Sequence, residues 1–277
     1  MDTEQRNRAV RIFMAVLALV LMATIYQNCG HLKDTGLPLV GNQSLNSSQN
    51  SLSFVQSNYG GTPLASVKLV TVSFAQAQVA GDLNVVVVGW NDATSTIASV
   101  SDSMGNNYIQ ANNLLRYSAP GASPTPIPSP GPGSAGVTSA DLSQTIFYAA
   151  NIAGAAVGQN QITVTFNSSA YSPDIRIVEY SGLGQSVTVD GHVGTSGSSL
   201  TPTSPPITVS SSNELLFVAN TSSTGNSSGT NGYNVRILAL PWDDLVEDQI
   251  APPPGAYQPS SFQNVSSSWV IQSIVFK

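Results

Sequence analysis

The sequence predicts an all-β protein: a single antiparallel β-sandwich of jelly-roll type, with an enlarged immunoglobulin-like sandwich as second choice. Three observations carry this. Short runs of β-branched and aromatic residues alternate with polar ones at period two, and clusters of Gly, Asn, Ser and Pro separate the runs. The third observation is the low charge, 9% against 41% hydrophobic residues, with Thr, Ser and Asn taking the outward strand positions. So apolar a chain is not disordered by charge. With 9 basic against 15 acidic residues it also lacks the basic face that nucleic acid requires.

Arg6, Arg8 and Arg11 precede a run of 15 uncharged residues, Ile12 to Tyr26. A basic stretch followed by so short an apolar run reads as an export signal over 1–28, because a spanning helix needs about 18–20 apolar residues. Cys29 follows, and as the only cysteine it has no internal partner. The segment resembles a bacterial lipoprotein signal peptide, with Asn28 and Tyr26 standing where the common form has a small and an aliphatic residue. That resemblance implies a diacylglyceryl group on the Cys29 sulfur and an acylated new N-terminus. Gly30, rather than Asp, after the cysteine implies passage to the outer membrane. Two or more acyl chains, at ~0.8 kcal/mol per buried CH₂, hold a soluble body to a bilayer. The lipidated cysteine and residues 30–51, rich in Gly, Asn, Ser and Gln, form a flexible tether over 29–51. As a coil its 22 residues after the cysteine span roughly 25–30 Å.

The sandwich domain is expected over 52–277. Val70, Val72 and Phe74 alternate with Thr71 and Ser73, and Leu83 to Val88 is a run suited to a strand buried on both faces. Ile146 and Tyr148, then Ile162, Val164 and Phe166, repeat the period. So do Ile175 to Tyr180, Leu215 to Ala219, Tyr233 to Leu240 and Trp269 to Phe276. Turns are expected at Gly105-Asn106-Asn107 and Asn231-Gly232. Six prolines between Ala119 and Val137 place an exposed loop there, since proline cannot donate to a ladder.

Several short stretches resemble an uncharacterised β-sandwich domain of secreted bacterial and phage-associated proteins. They are Ala80-Gly81-Asp82-Leu83 leading into Val85 to Trp90, Val100-Ser101-Asp102-Ser103 with Gly105-Asn106 and Tyr108, and Phe147-Tyr148-Ala149. Glu179-Tyr180-Ser181-Gly182, Glu247-Asp248 and the closing Trp269 to Lys277 complete the set. The resemblance implies a fold and an extracellular setting, without catalytic residues.

Candidate binding residues are Trp90 and Asp92 (with Asn91 between), Trp242 and Asp243 (with Asp244 following), and Tyr257, with Trp269 a further aromatic. An aromatic face stacks on sugar C–H groups while neighbouring carboxylates and amides take the hydroxyls. The plainer reading is a Trp closing the core beside an Asp-initiated turn. Gly225-Asn226-Ser227-Ser228-Gly229 has nucleophile-elbow spacing but no helix to follow it, and reads as a loop. Asp190-Gly191-His192 reads as a solvated turn. Asp82, Asp92, Asp102 and Asn106 fall at strand ends, where a structural Ca²⁺ or Asx-turns are the two readings. Glu179, Glu214 and Glu247 offer carboxylates to a glycan-active enzyme, although Glu179 reads as a structural partner of Arg176. No catalytic residue, resident cofactor or metal is assigned.

The expectation is therefore an envelope protein, outer-membrane or otherwise at the cell surface, that is not an enzyme. Its sandwich serves binding or adhesion, with carbohydrate the favoured ligand. A structural subunit of an envelope complex is the alternative, and a glycan-active hydrolase the third reading.

Overall fold

The computed structural model describes residues 51–118, 141–239 and 243–277. Cys29, the tether, the Pro-rich segment 119–137 and Trp242 lie outside the described residues. Those described contain eighteen strands and no helix. In chain order the first nine are β1 (Ser53–Gly61), β2 (Ser66–Ser73), β3 (Leu83–Trp90), β4 (Ile97–Asp102), β5 (Ile109–Gln110), β6 (Leu115–Tyr117), β7 (Leu142–Ala149), β8 (Gln161–Tyr171) and β9 (Asp174–Ser181). The other nine are β10 (Val189–Ser199), β11 (Ile207–Val209), β12 (Leu215–Ser222), β13 (Asn226–Ser228), β14 (Asn234–Ala239), β15 (Asp244–Ile250), β16 (Gly255–Tyr257), β17 (Phe262–Gln263) and β18 (Ser267–Phe276).

The first nine strands make two antiparallel sheets. One has the order β1-β9-β3-β7-β5, with β6 also on β7, and the other is β2-β8-β4. The first and last strands of the set are neighbours, as are the second and the last but one, which is the wrapping of a jelly roll. The second nine strands repeat it. Their large sheet runs β10-β18-β12-β15-β14, and β11 pairs with β16 while β13 pairs with β17. Here the strand corresponding to β8 is broken into β16 and β17 around Pro259, which has no N–H to give. The all-β antiparallel sandwich expected from the sequence is what forms, and within it the jelly-roll wiring occurs twice, the two large sheets packing face to face.

Burial follows from the stacking. Val85, Val87, Ile146, Val178 and Tyr180 meet Phe217, Val246, Ile274 and Phe276 between the large sheets. On the opposite face of the first large sheet, Val86, Val88, Trp90, Ile175 and Ile177 meet Val70, Val72, Phe74, Ile162, Val164 and Phe166. On the outer face of the second, Leu216, Val218, Ile271 and Val275 are covered by Ile207 and Val209. Because β3 lies in a sheet covered on both faces, every residue of Leu83–Trp90 is buried, as its unbroken β-branched run predicts. The expected turns form, with Gly105 at φ 76° and Gly232 at φ 83°, a region that a Cβ makes costly.

Register defines two ends. Ser53 pairs with Ser181, Leu83 with Tyr180 and Asn84 with Ala149 at the end where the chain enters from Leu52. Gly61 and Gly89 both pair with Asp174, and Trp90 with Ser143, at the far end. The second large sheet lies the same way round. Tyr148 stacks edge-on against Phe276 at 5.3 Å near the entry end, while Arg176 reaches Thr221 near the far end.

Candidate functional site

Between the large sheets the inward positions change character along each strand. Tyr148 and Ile146 give way to Gln144 on β7, Tyr180 and Val178 to Arg176 on β9, and Phe217 and Ala219 to Thr221 on β12. On β18, Phe276 and Ile274 give way to Gln272. Period-two alternation puts these residues on one face, so the interface is apolar at the entry end and polar at the far end.

Arg176 is the centre of the polar part and is fully buried. Its Nη1 donates to the carbonyls of Asn220 (3.0 Å) and Leu245 (3.2 Å). Its Nη2 donates to Thr221 Oγ1 (2.6 Å) and Gln144 Oε1 (3.3 Å), and Nε lies 2.8 Å from Asp174 Oδ2. Asp174 in turn shares a hydrogen bond with Asp244, whose Oδ1 also accepts the Ser222 N–H at 2.7 Å. Burial, then the charge of Asp174, pushes the Asp244 carboxyl well above the carboxylate range, against the pull of Arg176. Burial pushes Asp174 up as well, but the Arg176 charge and the hydrogen bond from Asp244 pull it back, so the pair is arranged with Asp244 as the more proton-retaining carboxyl and Asp174 facing the guanidinium. Gly89 permits this closeness, because a Cβ there would lie 2.7 Å from Thr221 Oγ1 and 2.8 Å from Arg176 Nη2.

Asp174 and Asp244 both line a pocket of about 100 Å³ at the far end. Tyr59, Gly60, Gly61, Thr62, Pro63, Ser172, Pro173 and Ala239 line the rest of it. Tyr59, 39% exposed, is the aromatic residue of that lining. Leu64 (φ 60°), Ser172 (φ 48°) and Asp243 (φ 49°) lie in or beside the lining segments. They are three of the five non-glycine residues with positive φ among those described. Such strain costs of order 1–3 kcal/mol per residue and collects where surrounding structure fixes a site.

The sequence candidates fare unequally. Trp90 is a correction: it is fully buried, edge-on to Phe166 at 5.3 Å and covered by Arg116 at 5.8 Å, with no face for a sugar. Asp92 closes a turn, accepting N–H bonds from Ser95 (2.6 Å), Thr94 (2.8 Å) and Tyr171 (3.1 Å). Burial pushes its carboxyl up, but those bonds outweigh burial and hold it below the usual range. Asp243 offers its carbonyl to Asn226, and its neighbour Asp244 is the residue in the pocket. Tyr257 is half-buried and donates to the Pro253 carbonyl at 2.7 Å, away from the pocket. Trp269 is buried with its indole N–H on Ser199 Oγ at 2.9 Å. Tyr59, Asp174 and Arg176 were missed. The signal for Arg176 was legible, since alternation places it inward with Val178 and Tyr180 and a buried guanidinium demands partners.

Other motifs settle into structural roles. Ser227 lies on β13 and donates to the Phe262 carbonyl at 3.2 Å, between two strands instead of before a helix. Asp190-Gly191-His192 begins β10 at a bulge, not a turn, with Asp190 paired to Lys277. Asp82 and Asp92 flank β3 at opposite ends, roughly 25 Å apart, so only Asp102 and Asn106 of the calcium candidates meet. No group of three or more His, Cys, Asp or Glu among the described residues is arranged to hold a metal. Glu214 accepts from Ser210 and Glu247 from Thr230, each through backbone N–H and hydroxyl. Glu179 is not the partner of Arg176, because three positions apart on a strand they face opposite ways. It accepts from Gln56 Nε2 at 2.6 Å and adjoins Asp82.

That last pair makes stability depend on pH. Burial, then the Glu179 charge, raises the Asp82 carboxyl to about 7. The folded form thus binds the proton more tightly than the unfolded one, so this contribution is complete below about pH 4, falls as pH rises to about 7, and is level above. Asp82→Asn is expected to match the parent's melting midpoint at pH 4 and exceed it at pH 8. Parallel melting curves across that range would refute the assignment.

No family model, curated protein or solved structure matches the chain.

Proposed function

We propose that the chain is a lipid-anchored envelope protein whose paired jelly rolls bind a small polar ligand, of the carbohydrate class, at the end remote from the anchor. One observation carries this reading: the far end gathers the features a binding surface needs, and the entry end receives the tether. The pocket with Tyr59, Asp174 and Asp244 lies at the far end, and so do Tyr117 and Leu142, the paired residues that flank the Pro-rich segment. Rigid strands hold loops and an aromatic wall in place, the usual arrangement of a binding scaffold. Asp174 and Asp244 are hydrogen-bonded to each other, closer than the roughly 5–10 Å that glycosidic hydrolysis uses, which favours binding over turnover.

The test is a glycan array probed with the lipidated protein in detergent. Retention of a glycan is expected, with Tyr59→Ala weakening it about three- to tenfold through loss of ring stacking. No retained glycan, or binding indifferent to Tyr59→Ala, overturns the ligand assignment. A protein partner co-purifying from detergent extract without glycan binding would instead support the structural-subunit reading.

A further inference from the structure

The entry end is more apolar than a solvent-facing loop surface needs to be. Three loops meet there: residues 74–82 between β2 and β3, 103–108 between β4 and β5, and 150–160 between β7 and β8. Gln78 and Ala155 exchange backbone hydrogen bonds of 2.9 and 3.1 Å, and the Ala153 N–H donates to Asn106 Oδ1 at 2.8 Å, so the loops form one surface. From it project Val79, 66% exposed, Val157, 68% exposed, and Met104, 36% exposed. Ala75, Ala77, Ala80, Ala153 and Ala156 are exposed around them. Asp82 is the only charged residue in these three loops, and it is buried. At the same end of the second jelly roll, Lys277 is paired with Asp190.

We infer that this end seats on a phospholipid surface, with Val79, Val157 and Met104 entering the interface between headgroups and acyl chains. The inference rests on the anchored reading above. Its independent support is position: the chain outside the described body leaves from Leu52, beside Ser53 and Ser181, at this same end. Only 22 residues separate Cys29 from Leu52, and a chain of that length, if it were a coil, would span roughly 25–30 Å and keep the body within reach of the bilayer. Contacts too weak to bind a free protein are populated when a tether holds them at high effective concentration. Apolar tips without exposed charge are what such an interface accepts. Seating this end also turns the pocket outward.

The test uses the mature lipidated protein in vesicles of phosphatidylethanolamine and phosphatidylglycerol. An environment-sensitive fluorophore is placed on Val79→Cys, Val157→Cys or, as the far-end control, Leu64→Cys; acylation keeps the dye off Cys29. Emission from positions 79 and 157 is expected to shift to the blue and to be quenched by chain-brominated lipid at least threefold more than emission from position 64. Equal, water-like emission at all three positions, with Cys29 acylated by mass, overturns the seating and leaves the anchor intact. A concentration-dependent blue shift in detergent without vesicles would mean that a second copy covers the surface, and also overturns it. An unacylated Cys29 removes the anchor and this inference together.

Discussion

Arg176→Met is expected to cost the fold about 3–5 kcal/mol, read as a fall in the urea midpoint at pH 7. The guanidinium satisfies carbonyls on β12 and β15, side chains on β7 and β12, and the Asp174 carboxylate, so it joins both large sheets. Methionine fills similar space but leaves the half-buried Asp174 carboxylate without its cation and takes the guanidinium donor from the Asn220 and Leu245 carbonyls and Thr221 Oγ1. The burden of that charge can be isolated. Adding Asp174→Asn removes it and should recover part of the loss, so the two substitutions are expected to be non-additive by more than about 1 kcal/mol. Losses that simply add would mean that the guanidinium acts through packing alone.

Trp90→Ala is expected to destabilise by about 3–5 kcal/mol, the cost of emptying a large aromatic site in a closed core. The indole belongs to the core cluster of Phe166, Val88 and Ile175, and the guanidinium of Arg116 covers its ring. Thermal melting of Trp90→Ala beside Trp90→Phe, which refills most of the space, checks the claim: the alanine variant should melt far lower and the phenylalanine variant should recover much of the difference. Any ligand bound by the parent should still bind Trp90→Phe. A Trp90→Ala variant with an unchanged midpoint and lost binding would return this residue to the surface.

The strands that could be read in the sequence are those whose faces differ in polarity or that are apolar throughout. Leu83–Trp90 and the alternating Gln161–Tyr171 declared themselves. By contrast β15, Asp244–Ile250, carries Asp244, Glu247 and Asp248, yet its first five residues are buried. Its carboxyls are met by Ser222, Thr230, Arg236 and Tyr180, partners that only the assembled sheets supply. The duplicated wiring was hidden for a related reason. Leu83–Trp90 and Leu215–Ser222 occupy equivalent places, but one ends in Gly-Trp and the other in Asn-Thr-Ser, because the far-end interface asks for polar groups from the second. The pocket was illegible because Tyr59, Asp174 and Asp244 are remote in sequence and converge only through the pairing of β1 with β9 and the facing of the two sheets. Trp90 misled because aromatic-plus-Asp at a strand end marks a core stopper and a ligand wall equally well.

Everything said of display, orientation and seating depends on lipid at one sulfur. The measurement that bears on it most directly is the mass of the N-terminal peptide of the mature protein, extracted from membranes with detergent. The account predicts a chain beginning at Cys29 and carrying two or three acyl chains. A peptide that retains residues 1–28, or a Cys29 with a free thiol in membrane-free material, would contradict it.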